Sequence, residues 1–364
     1  MILRRQTRNF SIGTVPVGSA SPVTIQSMCN TRTSDADATL AQIRELAAIG
    51  CDIIRVSVDS PADAEALKLI TANSPLPVIA DIQFAVEMAV AAIDSGCAAV
   101  RLNPGIIRDP VALKLIAGKL LKHNIPVRVG ANAGSLPRHE IESRLAKNMS
   151  WENAVAEALC DAAMTQCEAL ESYGVRDIKV ALKCSSVPVT LQACREFASR
   201  TDYPLHLGLT EAGVPHRGVV KSAAVLGALL TSGIGDTIRV SLTAHPREEI
   251  TAALQILESC EIRPALPEII ACPTCGRTEI DLIALTGTVE NIVAEAKKAG
   301  KKIKLRKIAV MGCPVNGPGE ARDADLGIAG TRDGKLVIFR KGVVLRAASS
   351  AEALKYFAGE LTEN

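Results

Sequence analysis

Short apolar, β-branched runs alternate with helical periodicity from the N-terminus to about Leu257, which predicts eight strand and helix units. The strands are expected at Val23 to Met28, Asp52 to Val58, Pro77 to Ile82, Ala98 to Asn103, Ile125 to Asn132, Asp177 to Lys183, Tyr203 to Leu209 and Asp236 to Leu242. Between the first two, Ser34 or Asp35 caps a helix whose apolar face carries Leu40, Ile43 and Leu46, and Gly50 stops it. Later units repeat that plan, and a longer helical pattern from about Trp151 to Tyr173 follows the fifth strand. The expected fold is α/β, a (β/α)8 TIM barrel; a doubly wound open sheet has similar periodicity.

After Leu257 the pattern changes. Arg263-Pro-Ala-Leu-Pro267 reads as a linker, because its prolines interrupt both helix and strand periodicity. Beyond it a strand (Glu268 to Cys272), a helix (about Val289 to Ala299), a strand (Lys307 to Met311), strands near Gly327 and Leu336 and a helix (Ala351 to Leu361) predict a small α+β domain. The expected domains are therefore 1–262 and 263–364.

Composition narrows this picture. Hydrophobic residues make up 48% of the 364 residues and aromatics 2%, so the core is built from Ala, Val, Ile and Leu, which suits stacked strands and helices. Net charge is +2, from 41 basic and 39 acidic residues, and gives no bulk attraction to nucleic acid or anionic membrane. The start lacks the apolar stretch of a secretion signal and no run of about 18 apolar residues occurs. A soluble, cytoplasmic protein is expected. Eleven cysteines, an odd count scattered through apolar segments, fit reduced thiols. Cys29, Cys51, Cys97, Cys160, Cys167, Cys194 and Cys260 read as small buried hydrophobes.

The ends of the strands carry the candidate chemistry, since βα loops meet there in a barrel. They offer Gln26 and Asn30, Arg55, Asp81, Arg101 and Asn103, Arg128 and Asn132, Lys183, Glu211, then Arg239 and Ser241. Any one of these Arg side chains is as easily a structural ion pair. As a set, Arg55, Arg101, Arg128, Lys183 and Arg239 outnumber Asp81 and Glu211, so a mouth built from them calls for a small polyanionic, phosphorylated substrate. Gly233-Ile-Gly235 precedes a strand and lacks a third glycine, which excludes a dinucleotide reading. The run Lys297, Lys298, Lys301, Lys302, Lys304, Arg306 and Lys307 is read as a solvated face, with docking of an acidic redox partner as the functional alternative. Few aromatics and no nucleic-acid motif accompany it.

Cys272-Pro-Thr-Cys275 and Gly312-Cys313-Pro read as one metal site. Structural zinc would want a fourth Cys or His, yet the last histidine is His245 and no cysteine follows Cys313. A fourth ligand then comes from the barrel, another chain or an oxygen donor. Three thiolates with an exchangeable fourth position describe a [4Fe-4S] cluster that does chemistry at one iron. The best local oxygen donor is Glu320, ahead of Asp323 and Asp325, because Asn316-Gly-Pro-Gly319 is turn chemistry.

At this point a family resemblance becomes close. Ala271-Cys-Pro-Thr-Cys-Gly-Arg277 and Met311-Gly-Cys-Pro-Val-Asn-Gly-Pro-Gly-Glu320 resemble the cluster motifs of bacterial 4-hydroxy-3-methylbut-2-enyl diphosphate synthases of the non-mevalonate isoprenoid pathway. Arg101-Leu-Asn-Pro-Gly105, Arg128 to Leu136, Pro204 to Gly213 and Gly233 to Leu242 match in the same order. The resemblance implies a barrel binding 2-C-methyl-D-erythritol 2,4-cyclodiphosphate and a [4Fe-4S] cluster on Cys272, Cys275, Cys313 and Glu320. It implies two electrons from reduced flavodoxin or ferredoxin, opening of the cyclic C–O bond and loss of the C3 hydroxyl as water. Glu211 matches the family's acid group; Arg55, Arg101, Arg128, Lys183 and Asn132 would hold the diphosphate, and Asp81 and Asn103 would order the mouth. It further implies a homodimer in which one chain's cluster domain covers the other chain's barrel. Departures from the family pattern are Gln83 for His, Ile106 for Asn, and Lys183-Cys-Ser-Ser186 for Lys-Ala-Ser-Asp, which removes a carboxylate. Competing readings are an aconitase-like hydro-lyase, a pterin-type transferase barrel and a zinc-based interaction module.

Overall fold

A computed structural model describes residues 2–83, 85–104, 107, 109–263, 267–315, 317, 319 and 321–362. The chain divides into two compact units, Met1–Arg263 and Pro264–Asn364. The first opens with a hairpin of β1 (Phe10–Ile12) and β2 (Val15–Val17), which the hydrophobic pattern did not announce. Eight parallel strands follow: β3 (Thr24–Met28), β4 (Ile53–Ser57), β5 (Val78–Asp81), β6 (Ala99–Leu102), β7 (Val127–Asn132), β8 (Ile178–Lys183), β9 (His206–Leu207) and β10 (Thr237–Ile238). They pair in the order β8-β7-β6-β5-β4-β3-β10-β9. A bridge between Val180 and Leu205, with Val180 N–H donating to Pro204 O at 2.9 Å, joins the two ends into a TIM barrel.

The helices between the strands start where the sequence supplies caps. Asp35 accepts from Ala38 N ahead of α1 (Ala36–Ala48), and Ser60 and Asp63 form a capping box on α2 (Pro61–Asn73). The remaining barrel helices are α3 (Val86–Asp94), α4 (Pro110–His123), α5 (Arg138–Leu145), α6 (Trp151–Ser172), α7 (Val187–Arg200), α8 (Pro215–Leu230) and α9 (Pro246–Ser259). Strand alternation sends Ile54, Val56, Val100, Leu102, Val127, Val129, Val180 and Leu182 outward into one large apolar core with the helices. The opposite face lines the lumen. Ile53, Ile79 and Ala99, at the starts of their strands, cluster with Ile12 and Val17, so the hairpin caps the N-terminal end of the barrel. The seven cysteines read as core residues are all buried.

Strands β9 and β10 are much shorter than the apolar runs Tyr203 to Leu209 and Asp236 to Leu242. The carboxylate of Asp236 explains part of this. It accepts from Leu205 N at 2.8 Å, Thr7 Oγ1 at 3.1 Å and Arg4 Nη2 at 2.7 Å, drawing the N-terminal segment under the barrel seam instead of extending the ladder.

The second unit is a five-stranded sheet ordered β11 (Glu268–Ala271), β12 (Lys307–Met311), β13 (Leu326–Gly330), β14 (Leu336–Arg340) and β15 (Val343–Ala348). The first three are parallel and the last two antiparallel. Helices α10 (Leu282–Lys298) and α11 (Ser350–Leu361) cover one face through Leu285, Val289, Val293 and Phe357. Helix α10 begins seven residues before the expected Val289, because Asp281 caps it through Ala284 N. Strand β15 was not expected.

Removing the seam carboxylate leaves the buried Leu205 N–H without its acceptor and Arg4 without its counter-charge, although backbone carbonyls still accept from the guanidinium. Asp236→Ala is expected to cost about 3 kcal/mol, lowering the barrel's unfolding temperature by about 6–12 °C in calorimetry of the full chain.

Candidate active site

Along the lumen face the strands present Met28, Arg55, Asp81, Arg101, Arg128, Lys179, Lys183 and His206. Register sets Asp81 opposite Arg101, Arg101 opposite Arg128, and Arg128 opposite Lys179, so adjacent strands bring four charged side chains into one row. Asp81 is the acid within that row and is 3% exposed. Its Oδ1 accepts from Arg101 Nη1 at 3.2 Å and its Oδ2 lies 3.6 Å from Arg55 Nε. Burial alone would raise its pKa, but Arg55, Arg101 and Arg128 outweigh that and hold it below the usual carboxylate value.

The cations exceed what Asp81 balances. Arg101 spends a second donor on Gly130 O at 3.0 Å, and a Cβ at Gly130 would stand 2.8 Å from Arg101 Nε, so glycine leaves the guanidinium its room. Arg55 aims Nε and Nη2 at the thioether of Met28, 3.2 and 3.0 Å away, a weak acceptor for a buried guanidinium. Arg128 is buried with Nε and Nη1 unpartnered, and so are Lys179 Nζ and His206 Nε2. Desolvation draws the Arg55 pKa down to about 10, and desolvation with the neighbouring cations drives Arg128, Lys179, Lys183 and His206 well below their ordinary values. Buried groups of one sign in this state are stabilised by an anion.

Arg239 differs from the other cations. Its Nε and Nη2 bind Glu249 at 3.1 and 3.2 Å, so it is not one of the unbalanced charges that the strand ends suggested. Glu249 lies in the first turn of α9, 4% exposed, and also accepts from Ser27 Oγ and Leu242 N, both at 3.1 Å. Sequence reasoning missed it because it sits seven residues beyond Leu242, on a helix instead of a strand end. Met28, Lys179 and His206 were missed likewise; the period-two count along β3, β8 and β9 would have found them.

The remaining mouth residues fall on the loops. Asn103 accepts from Ser135 Oγ at 3.2 Å, and the same hydroxyl donates to Asn132 O at 2.9 Å, tying the ends of β6 and β7 together. Ser241 is half-buried beyond β10. Glu211 is exposed after β9 with φ +55°, a left-handed backbone that costs an ordinary residue about 1–2 kcal/mol. A Cβ at Gly208 would lie 2.4 Å from Arg239 O and 3.0 Å from Lys183 Nζ, so only glycine allows these strands and the ammonium to approach. Ser186, which replaces the expected Asp, accepts from Val189 N as the N-cap of α7. That position is a helix cap, which either residue fills. Gln83 is half-buried, and Ile106 lies outside the described residues.

In the second unit, Cys272 directly follows β11 and Cys313 follows β12 by two residues. Parallel pairing of Ala271 with Val310 therefore brings the two loops together, and Gly312 N donates to Cys272 Sγ at 3.2 Å. Cys275 is exposed, and hydrogen bonding from the Arg277 backbone and from Thr278 lowers its pKa toward the thiolate. Glu320 lies outside the described residues. Among the described residues no three His, Cys, Asp or Glu side chains gather as a group that could hold a metal ion. The thiolates of a cubane each bind a different iron, so the donor set and its two adjoining loops fit a cluster.

Residues 7–254 match the GcpE TIM-barrel domain and residues 268–363 the GcpE protein C-terminal domain. The chain belongs to the GcpE family. Relatives named 4-hydroxy-3-methylbut-2-en-1-yl diphosphate synthase (flavodoxin) include one from Frankia alni, 48% identical over 97% of this chain and 88% of its own length. One from Corynebacterium glutamicum is 46% identical over 97% of this chain and 90% of its own. Among solved structures, the N-acetylneuraminic acid synthetase of Leptospira borgpetersenii is similar at TM-score 0.50 and 14% identity, over 76% of this chain and 96% of that one. The HPPK-DHPS of Plasmodium falciparum reaches TM-score 0.50 at 11% identity, over 70% of this chain and 50% of that one. Those two likenesses concern the barrel fold alone.

In this GcpE-family barrel, the Lys183 ammonium makes no hydrogen bond or ion pair with the described residues, and its buried charge opposes folding. A lysine whose folded pKa lies below its unfolded value contributes stability that rises with pH through that interval. Lys183→Met is therefore expected to raise the anion-free unfolding temperature by about 2–6 °C, with the gain shrinking toward pH ~10, and to reduce the stabilisation by added pyrophosphate. Thermal scans across pH with and without pyrophosphate measure both effects.

Proposed function

We propose that this chain is an iron–sulfur oxidoreductase that converts 2-C-methyl-D-erythritol 2,4-cyclodiphosphate, two electrons and two protons into 4-hydroxy-3-methylbut-2-enyl diphosphate and water. The observation that carries this reading is the lumen's buried surplus of positive charge, with Arg128 left partly unpartnered, in a chain that matches relatives of that name over nearly its whole length. A [4Fe-4S] cluster held by Cys272, Cys275 and Cys313, with Glu320 as an exchangeable fourth ligand, would relay the electrons from the reductant to the substrate.

The chain's own residues do the rest. Arg55, Arg101, Arg128, Lys183 and Asn132 hold the diphosphate, with Arg239 and Ser241 beside them. Asp81 keeps Arg55 and Arg101 together against their repulsion, at distances already set before the ligand arrives. Asn103 and Asn132 are joined through Ser135 at the mouth's edge. Glu211 carries the proton that converts the departing C3 hydroxyl into water; its exposed loop position suits exchange with solvent. Flavodoxin, named for the relatives, is the proposed reductant, and ferredoxin would serve the same chemistry. No helix among the described residues is long and apolar enough to cross a membrane.

Anaerobically purified protein is expected to be brown, with about four irons per chain; a colourless zinc protein would refute the reading, and turnover without reductant would replace it by a hydro-lyase. Glu211→Gln is expected to keep the visible spectrum and lower kcat by about 100-fold or more. The homodimer with a shared active site predicts complementation. Mixing Cys275→Ala with Glu211→Gln chains should restore about a quarter of wild-type activity, whereas independent chains would restore none.

A further inference from the structure

We infer that Glu249 is a positioning residue for the diphosphate, turning Arg239 so that its Nη1 side is presented to the lumen beside Arg55. The inference rests on the reading of the mouth as a diphosphate site.

Three features carry it. First, Glu249 takes the Nε and Nη2 edge of Arg239, at 3.1 and 3.2 Å, in the fork geometry that fixes both position and plane of a guanidinium. Secondly, the carboxylate is held from other sides, by Ser27 Oγ on β3 and by Leu242 N in the loop before α9. It is therefore a fixed support for the arginine. Thirdly, the free Nη1 lies 3.5 Å from Met28 Sδ, the same sulfur that receives Arg55 Nε at 3.2 Å and Nη2 at 3.0 Å. Two guanidiniums thus meet over one thioether, an acceptor far weaker than a phosphate oxygen. Without the charge on Glu249, repulsion from Arg55 favours swinging Arg239 away.

Two simpler roles make different predictions. A carboxylate that only neutralises charge weakens anion binding, so its removal would tighten it. A carboxylate that only secures the loop at Leu242 would act equally whether or not Arg239 is present. The positioning role predicts weaker binding that depends on Arg239.

The experiment is calorimetric titration of inorganic pyrophosphate into the full chain as wild type, Glu249→Gln, Arg239→Met and the double variant. Glu249→Gln is expected to weaken binding about five- to tenfold, with the double variant within about twofold of Arg239→Met alone. Should the Gln variant not fold, Glu249→Asp carries the same test, since it keeps the charge and withdraws it by one methylene. Unchanged or tighter binding, an equal loss in both backgrounds, or no pyrophosphate binding by wild type overturns the inference. Turnover of the cyclic diphosphate is measured separately. Its absence, with the binding pattern intact, would overturn the proposed activity and leave the positioning role standing.

Discussion

The barrel is organised around a charge imbalance inside its own lumen. Asp81 stands between Arg55 and Arg101, and Arg128, Lys179 and Lys183 follow on the next two strands with no carboxylate of their own in the row. A chain seeking only stability would fill these positions with Val and Ile, as it does on the outward face of the same strands. The cost of holding the cations out of water is offset by the large apolar core around them. Even the soft contacts fit this constraint, because a thioether is the nearest acceptor that Arg55 finds beside Asp81.

Other features serve the same imbalance. The hairpin of β1 and β2 caps the end of the lumen away from the loops with Ile12 and Val17, while Gly130 and Gly208 make room for Arg101 and Lys183. Asp236 fastens the N-terminal segment beneath the seam where β8 and β9 barely pair. The second unit uses a different local logic. Parallel strands β11 and β12 end in neighbouring loops, and this places Cys272 beside Gly312 although forty residues separate them.

Much of this was legible in the sequence. Eight alternating units, a cap at Ser34 or Asp35, the long helix from Trp151 and the core cysteines follow from local periodicity and polarity, which persist whatever the chain's tertiary neighbours. The hairpin and β15 were not legible, because runs as short as Phe10–Ile12 carry too few alternations. The lengths of β9 and β10 were misjudged, since apolar content marks burial and does not distinguish a paired strand from a buried loop.

For the site, the sequence by itself determined which chemistry is on offer: which side chains are cationic, that they fall at strand ends, and that three cysteines stand in two short Gly/Pro-rich motifs. Period-two alternation and ligand spacing are properties of a few consecutive residues, so they can be read locally. Partnership was decided only by tertiary structure. Arg239 looked unbalanced until the turn after β10 brought Glu249 to it from a helix, and Met28, absent from the strand-end candidates, lies between two guanidiniums. A hydrogen bond depends on distances of about 3 Å between residues far apart along the chain, and those distances exist only once the barrel has closed.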